Sequence, residues 1–252
     1  MVLSEFNLEG KVAIITGNGK GWGKHLALAL AEAGADIVLA ASSKKAIEET
    51  AKEVRQMGRR AIAIPTDISK SSDIEKMVEM AISQFGKIDI LVNSPDLEFA
   101  KPFLEVTEGE WHRVINTNLT TVFLCSQTVG KHMVAQKRGR IINVISGLAM
   151  RGLSNSAAYC AAKGGVIQLT RALAQEWARD NIRVNALGHG WLSEETISEE
   201  EQLKDPLVRY IPVRRLGRPA DLGALLVFLA SDACDYITGQ AFFADGGVLA
   251  HT

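Results

Sequence analysis

Seven short apolar runs punctuate the chain, at residues 12–15, 37–41, 61–64, 88–92, 141–145, 183–187 and 240–244. Each has the length of a strand, and none shows the clean polar alternation of a sheet with one wet face. Between them lie segments with apolar residues at helical spacing, at 24–33, 45–57, 72–85 and 157–178. Gly34, Gly58 and Gly86 stand near the ends of three of these, where helices commonly stop. Strands buried on both faces and separated by helices predict an α/β class with a mostly parallel sheet, and right-handed crossovers make it doubly wound. Such a sheet takes ligands beyond the carboxyl ends of its strands. The stretch from about 191 to 211, rich in glutamate, fits neither period and predicts a surface excursion near that ligand site.

Composition narrows the picture. With 252 residues, 47% of them hydrophobic, the chain can bury one sizeable core, so residues 1–252 are expected to form a single domain. Its 28 basic and 29 acidic residues are interspersed and sum to a net charge of −1. That leaves no broad basic field for nucleic acid or an anionic membrane. Charges interrupt every apolar stretch well short of a membrane span, and the first ten residues carry no long apolar run. Cys125, Cys160 and Cys234 lack metal-ligand spacing and suit a reducing compartment, and the five histidines are scattered, so no metal site is expected. The expectation is a cytoplasmic protein without nucleic-acid or membrane partners.

Directly after the first run stands Thr16-Gly17-Asn18-Gly19-Lys20-Gly21-Trp22-Gly23, and a helical pattern follows. A turn built on Gly17, Gly21 and Gly23 lets the backbone bend sharply towards a pyrophosphate, while the helix offers unpaired N–H groups and its positive dipole end. The spacing is not G-x-G-x-x-G, and such a turn taken alone also suits a structural role. Asp67 and Asn93 stand at the ends of the third and fourth runs, where polar side chains can bracket an adenine ring or simply cap a turn. The second run leads into Ser42-Ser43-Lys44-Lys45, without the carboxylate that would hold a ribose 2′-hydroxyl. Ser42 and Ser43 can hydrogen-bond a 2′-phosphate, and Lys44, Lys45 or Lys20 can neutralise it, which favours NADP(H) over NAD(H). The alternative is that Ser43 caps the next helix and the lysines are solvated.

Tyr159 and Lys163 stand four apart in a run of small residues suited to helix, so their side chains share a face. An ammonium beside a phenol favours the phenolate, drawing down a pKa of roughly 10 and making Tyr159 a usable general acid and base. Ser146 closes the fifth run, where its hydroxyl can bond a carbonyl oxygen as charge develops. Asn118 lies in a helical stretch and can polarise a water linking Lys163 to solvent. Each signal is weak alone. Their coincidence with the glycine turn predicts an active site.

On these residues the sequence resembles the short-chain dehydrogenase/reductase family over nearly its whole length, from the glycine turn to Ile237-Thr238-Gly239-Gln240 and Asp245-Gly246-Gly247. The resemblance implies a seven-stranded Rossmann-like sheet, a homo-oligomer that is commonly a tetramer, and a catalytic tetrad of Asn118, Ser146, Tyr159 and Lys163, with Lys163 also holding the nicotinamide ribose. The cofactor contacts it implies are Gly17, Asn18, Lys20, Gly21, Trp22, Gly23, Ser42, Ser43, Asp67, Ile68, Asn93, Tyr159, Lys163, His189, Gly190 and Leu192. The implied reaction passes a hydride between nicotinamide and a secondary alcohol or ketone while Tyr159 exchanges the proton. For the helix after Tyr159, the series Val166, Leu169, Leu173 and Trp177 suits either core or subunit interface.

Two places depart from the family pattern. Where Asn-Asn-Ala-Gly is usual stand Asn93-Ser94-Pro95-Asp96, a stiffened loop carrying a charge in place of glycine. Where Pro-Gly is usual stand His189-Gly190, and His189 is either a contact or a tolerated loop replacement. The segment around Asn181 to Ala186 resembles members acting on sugar acids and polyols, and equally many reducing 3-oxoacyl thioesters. Glu194, Glu195, Glu199, Glu200 and Glu201 would repel an acidic carrier protein, which favours a small free substrate, although Arg209, Arg214 and Arg215 lie close in sequence. A non-catalytic nucleotide-binding scaffold is the alternative from another class. It is disfavoured because Tyr159 and Lys163 are both present.

Overall fold

The structure is a computed structural model that describes residues 2–17, 21–193 and 198–250. Every apolar run becomes a strand: β1 (Val12–Gly17), β2 (Asp36–Ala41), β3 (Ala61–Pro65), β4 (Ile90–Ser94), β5 (Gly139–Ser146), β6 (Ile182–His189) and β7 (Ala241–Ala244). They form one sheet in the order β3-β2-β1-β4-β5-β6-β7, with every pairing parallel. The helices are α1 (Trp22–Glu32), α2 (Lys44–Gln56), α3 (Ser71–Phe85), α4 (Glu108–Ile115), α5 (Thr121–Gln136), α6 (Ala157–Trp177), the short α7 (Glu199–Gln202) and α8 (Gly223–Ala230). This is the doubly wound α/β architecture that the spacing of runs and helices predicts.

The pleat explains why the strands lack polar alternation. In β1, Ala13 and Ile15 point into a core shared with Leu26 and Leu30 of α1 and Leu226 of α8, while Val12 and Ile14 point into a second core with Ile74 and Met77 of α3 and Val129 of α5. Both faces are dry, so both parities must be apolar, and each fully buried aliphatic side chain contributes about 1.5–3 kcal/mol. Helix ends follow local chemistry. α3 stops at Gly86, whose φ of 80° suits a residue without Cβ and whose N–H bonds Ile82 O.

Five strands run one or two residues further than their apolar runs: β1 to Gly17, β3 to Pro65, β4 to Ser94, β5 to Ser146 and β6 to His189. The parallel ladder sets Gly17 beside Ser94 and Ser146 beside His189. The polar residues expected in loops therefore sit on the rigid rim of the sheet. Between α4 and α5 the helix widens into a π turn over Asn116–Thr120, a feature frequent at functional sites. After β6 the excursion folds over this rim. Val208, Ile211, Leu216 and Val248 form a small core with Trp191, and Leu192 bridges to Gly217. Glu194 and Glu195 lie outside the described residues. Among those described, no helix is long and apolar enough to cross a membrane.

Candidate active site

α6 brings Tyr159 and Lys163 under the ends of β4 and β5, as their spacing predicts. Ser146 is the last residue of β5, and its hydroxyl accepts a hydrogen bond from Leu148 N at 3.2 Å. The Lys163 side chain is only 1% exposed; its Nζ donates to Pro95 O at 2.9 Å and pairs with Asp96 Oδ1 at 3.0 Å. The same carboxylate oxygen accepts the Tyr159 hydroxyl at 2.8 Å. The electrostatics therefore run against the simple lysine argument. Burial first, then the charge and hydrogen bond of Asp96, hold the phenol well above its ordinary pKa, with the Ser146 hydroxyl acting the other way. Burial also works to raise the Asp96 carboxyl, but Lys163 foremost, with the hydrogen bonds from Lys163 and Tyr159, brings it below its usual range.

Asn118 sits in the π turn with no exposed surface. Its Oδ1 accepts from Leu97 N, and its Nδ2 donates to Leu97 O and Val114 O, all at 3.0 Å. The side-chain amide is thus spent on fixing the loop that carries Asp96. The structure thus adds a positioning part to the one expected of Asn118, since its amide ties down Leu97, the residue next to Asp96.

At the nucleotide end, Gly21 is the N-cap of α1 with φ 57° and no side chain capping the helix, so the first turn presents its backbone to the rim. At Gly17 a Cβ would stand 2.6 Å from Ser94 O, and φ is 149°, so close approach of β1 to β4 demands glycine there. Gly17, Gly23, Leu39, Ala40, Ile47 and Ser94 line a small hollow beside the turn. Asn18 and Lys20 lie outside the described residues. Ser42 is exposed and Ser43 is the N-cap residue of α2, but its side chain makes no capping bond. Among the described residues the uncapped start of α1 behind Gly21 fits the phosphates of a dinucleotide.

Of two expected contacts, one is taken up by the fold itself and the other keeps a partly exposed carboxylate. Asn93 has no exposed surface; its Nδ2 donates to Ser126 Oγ at 3.0 Å and Asn143 Oδ1 at 2.9 Å, and its Oδ1 accepts from Thr16 Oγ1 at 3.2 Å. Its amide knots β1, β4, β5 and α5 together. Asp67 accepts from Ser69 N and Oγ and pairs with Lys70 at 3.0 Å, which pulls its carboxyl down to about 2. It caps the turn into α3, and Ile68 packs partly buried against the second core.

Where β6 ends beside Ser146, two rings from distant segments meet. Trp22 stacks on His189 with ring centroids 4.3 Å apart and planes tilted by 37°. His189 is buried, its Nδ1 lies 2.8 Å from Gly190 O, and burial depresses its pKa. A Cβ at Gly190 would come within 2.9 Å of Asp245 Cα, which fixes how closely β6 approaches the last loop. Over this floor opens a cavity of about 470 Å³ lined by Glu98, Ser146, Arg151, Tyr159, His189, Trp191, Leu192 and Leu207 among others. The Arg151 guanidinium lies 5.7 Å from the centre of the Trp191 ring. Glu98 is pushed up by burial and by the nearby Asp96 charge. No group of three His, Cys, Asp or Glu side chains among the described residues is arranged to hold a metal.

Residues 17–249 match the family model described as enoyl-(acyl carrier protein) reductase. The chain belongs to the short-chain dehydrogenase/reductase family. It is similar to a 2-dehydro-3-deoxy-D-gluconate 5-dehydrogenase of Escherichia coli, with 41% identity over 99% of this chain and all of that protein. A 3-oxoacyl-(acyl-carrier-protein) reductase of Staphylococcus epidermidis is 38% identical over 94% of this chain and 98% of its own length. Among solved structures, a gluconate 5-dehydrogenase from Burkholderia cenocepacia in complex with NADP and tartrate superposes with a TM-score of 0.92 at 33% identity, covering both chains fully. This short-chain dehydrogenase/reductase is an oxidoreductase that interconverts a secondary alcohol and a ketone. The motif signals point to Tyr159, Lys163 and Ser146. Arg151 and Trp191 belong to no motif, Trp191 standing only at the start of the excursion expected near the site, and Asp96 stands out as a charge where the family pattern has glycine.

Proposed function

We propose that this dehydrogenase/reductase acts on a small sugar acid, with NADP(H) as cofactor. The observation that carries the substrate class is the wall of the cavity over Tyr159. Its floor offers the Ser146 and Tyr159 hydroxyls, its sides are largely apolar, and its one permanent cation among the described lining residues is Arg151, braced against Trp191. A guanidinium in such a setting is the natural partner of a carboxylate. A cavity of about 470 Å³ also suits a free six-carbon acid. The sugar-acid dehydrogenases among the relatives support the same reading. NADP(H) follows from Ser42 and Ser43 at the end of β2, with Lys44 and Lys45 next to them and no carboxylate in the segment.

Bound nicotinamide supplies or accepts the hydride. On reduction, Tyr159 gives its hydroxyl proton to the substrate oxygen and Ser146 donates a hydrogen bond to the same atom as charge develops there. On oxidation, Tyr159 takes the proton back. The test follows reduced-nicotinamide absorbance over keto sugar acids, their neutral sugar counterparts and 3-oxoacyl thioesters, with Tyr159→Phe as control. The expected result is turnover of the acids, lost about 10²–10⁴-fold in the control, with Arg151→Gln raising KM for acids and sparing neutral sugars. Preference for carrier-bound thioesters would overturn the substrate class, and tighter binding of NADH than NADPH would overturn the cofactor.

A further inference from the structure

The loop after β4 places a carboxylate where the family pattern has glycine, and the structure gives that carboxylate work to do. Asp96 Oδ1 receives the Tyr159 hydroxyl at 2.8 Å and the Lys163 ammonium at 3.0 Å, so one oxygen joins the proton donor to its neighbouring cation. The contact is built. The Asp96 side chain is 10% exposed, Pro95 limits the loop, and Asn118 clamps Leu97 through both its N–H and its C=O. We propose that Asp96 is a further catalytic group, which keeps the proton on Tyr159 and engages the charge of Lys163, so that the site is set for ketone reduction at neutral pH and needs alkali for alcohol oxidation.

Groups from four segments face the phenol and its carboxylate partner. From α6 comes Lys163, from the loop after β4 come Asp96 and Glu98, from β5 the Ser146 hydroxyl, and from β6 the buried His189. Lys163 alone would stabilise phenolate. With Asp96 bonded to both groups, the ammonium is matched by a carboxylate, and the phenol proton lies in a charge-assisted hydrogen bond that phenolate would lose. Reduction needs Tyr159 protonated, which this arrangement supplies throughout the neutral range, the hydroxyl turning from Asp96 to the substrate oxygen as it gives the proton up. Oxidation needs it deprotonated, against an adjacent carboxylate.

The test does not depend on knowing the substrate, so it separates this inference from the sugar-acid reading on which its reaction direction rests. Tyrosinate absorbance is titrated in the wild type and Asp96→Asn, each corrected by subtracting its Tyr159→Phe counterpart; the other two tyrosines, Tyr210 and Tyr236, are exposed. Asp96→Asn is expected to move Tyr159 ionisation down by at least about one pH unit, roughly a tenfold rise in phenolate at a given pH below it. On any substrate turned over, the oxidative pH profile moves down by the same amount, while reduction at neutral pH changes less. Asp96→Gly, the family residue, checks that the shift follows loss of charge and not the amide introduced. Unchanged Tyr159 ionisation in both folded variants would overturn the proposal, as would equal displacement of the oxidative and reductive profiles.

Discussion

Asn93 offers a sharp separation of fold from cofactor binding. Asn93→Ala removes three side-chain hydrogen bonds at a site with no exposed surface. Thr16 Oγ1 keeps a long contact to Val92 O at 3.4 Å, whereas Asn143 Oδ1 and Ser126 Oγ each lose a donor. Each buried polar atom left unpaired costs about 1–3 kcal/mol, and the vacated amide adds a small cavity. A loss of about 3–5 kcal/mol is expected, a large share of the roughly 5–15 kcal/mol that holds a typical domain together. Urea denaturation followed by tryptophan fluorescence, at fixed protein concentration, reads it directly. Below the unfolding transition, dinucleotide affinity should stay within about threefold of wild type, under 1 kcal/mol. A stability loss under about 1 kcal/mol together with a marked drop in cofactor affinity would overturn the structural role and return Asn93 to the ligand.

Two further outcomes follow from the buried charges. Lys163→Met strands the Asp96 carboxylate without its cation and should cost about 3–5 kcal/mol; adding Asp96→Asn should recover much of the lost Tm while activity stays absent, and a double variant no more stable than the single would contradict the pairing. His189, neutral when folded because burial depresses its pKa, takes up protons more readily once unfolded. Its contribution is therefore full above the unfolded value of about 6.5 and is lost as pH falls towards the lower folded value. Tm measured from about pH 8 to pH 5 should fall less steeply in His189→Asn than in the wild type, and parallel curves would count against a buried neutral imidazole.

Much of the architecture was legible because it is written in local periods. Apolar runs at 12–15 and 37–41 became β1 and β2 because both faces of the sheet are dry, and Tyr159 and Lys163 share a face because they are four apart on α6. What escaped depends on contacts between distant segments. The Asp96 carboxylate meets Tyr159 across 63 positions of sequence, and Asn93 meets Asn143 across 50. No window on the sequence shows that Asn93 faces inward while Asp96 reaches the phenol, although both belong to the same unusual loop. The apolar runs stop short of the strand ends for a related reason. Gly17, Ser94, Ser146 and His189 lack apolar character, yet parallel pairing carries the ladder through them.

The strand order also constrains how the chain comes into being. β1, β2 and β3 are contiguous in sequence and in the sheet, so they can pair as soon as they leave the ribosome, but the other edge of β1 waits for β4, with Ala13 opposite Ile90. Until then the nascent chain carries an unsatisfied apolar edge, a hazard for association with other chains during synthesis. The glycine turn and α1 exist early, whereas Ser146, Tyr159 and Lys163 arrive more than a hundred residues later. Nonlocal pairing of this kind slows folding. A ribosome-bound intermediate can therefore own the nucleotide half of the site while having no chemistry at all.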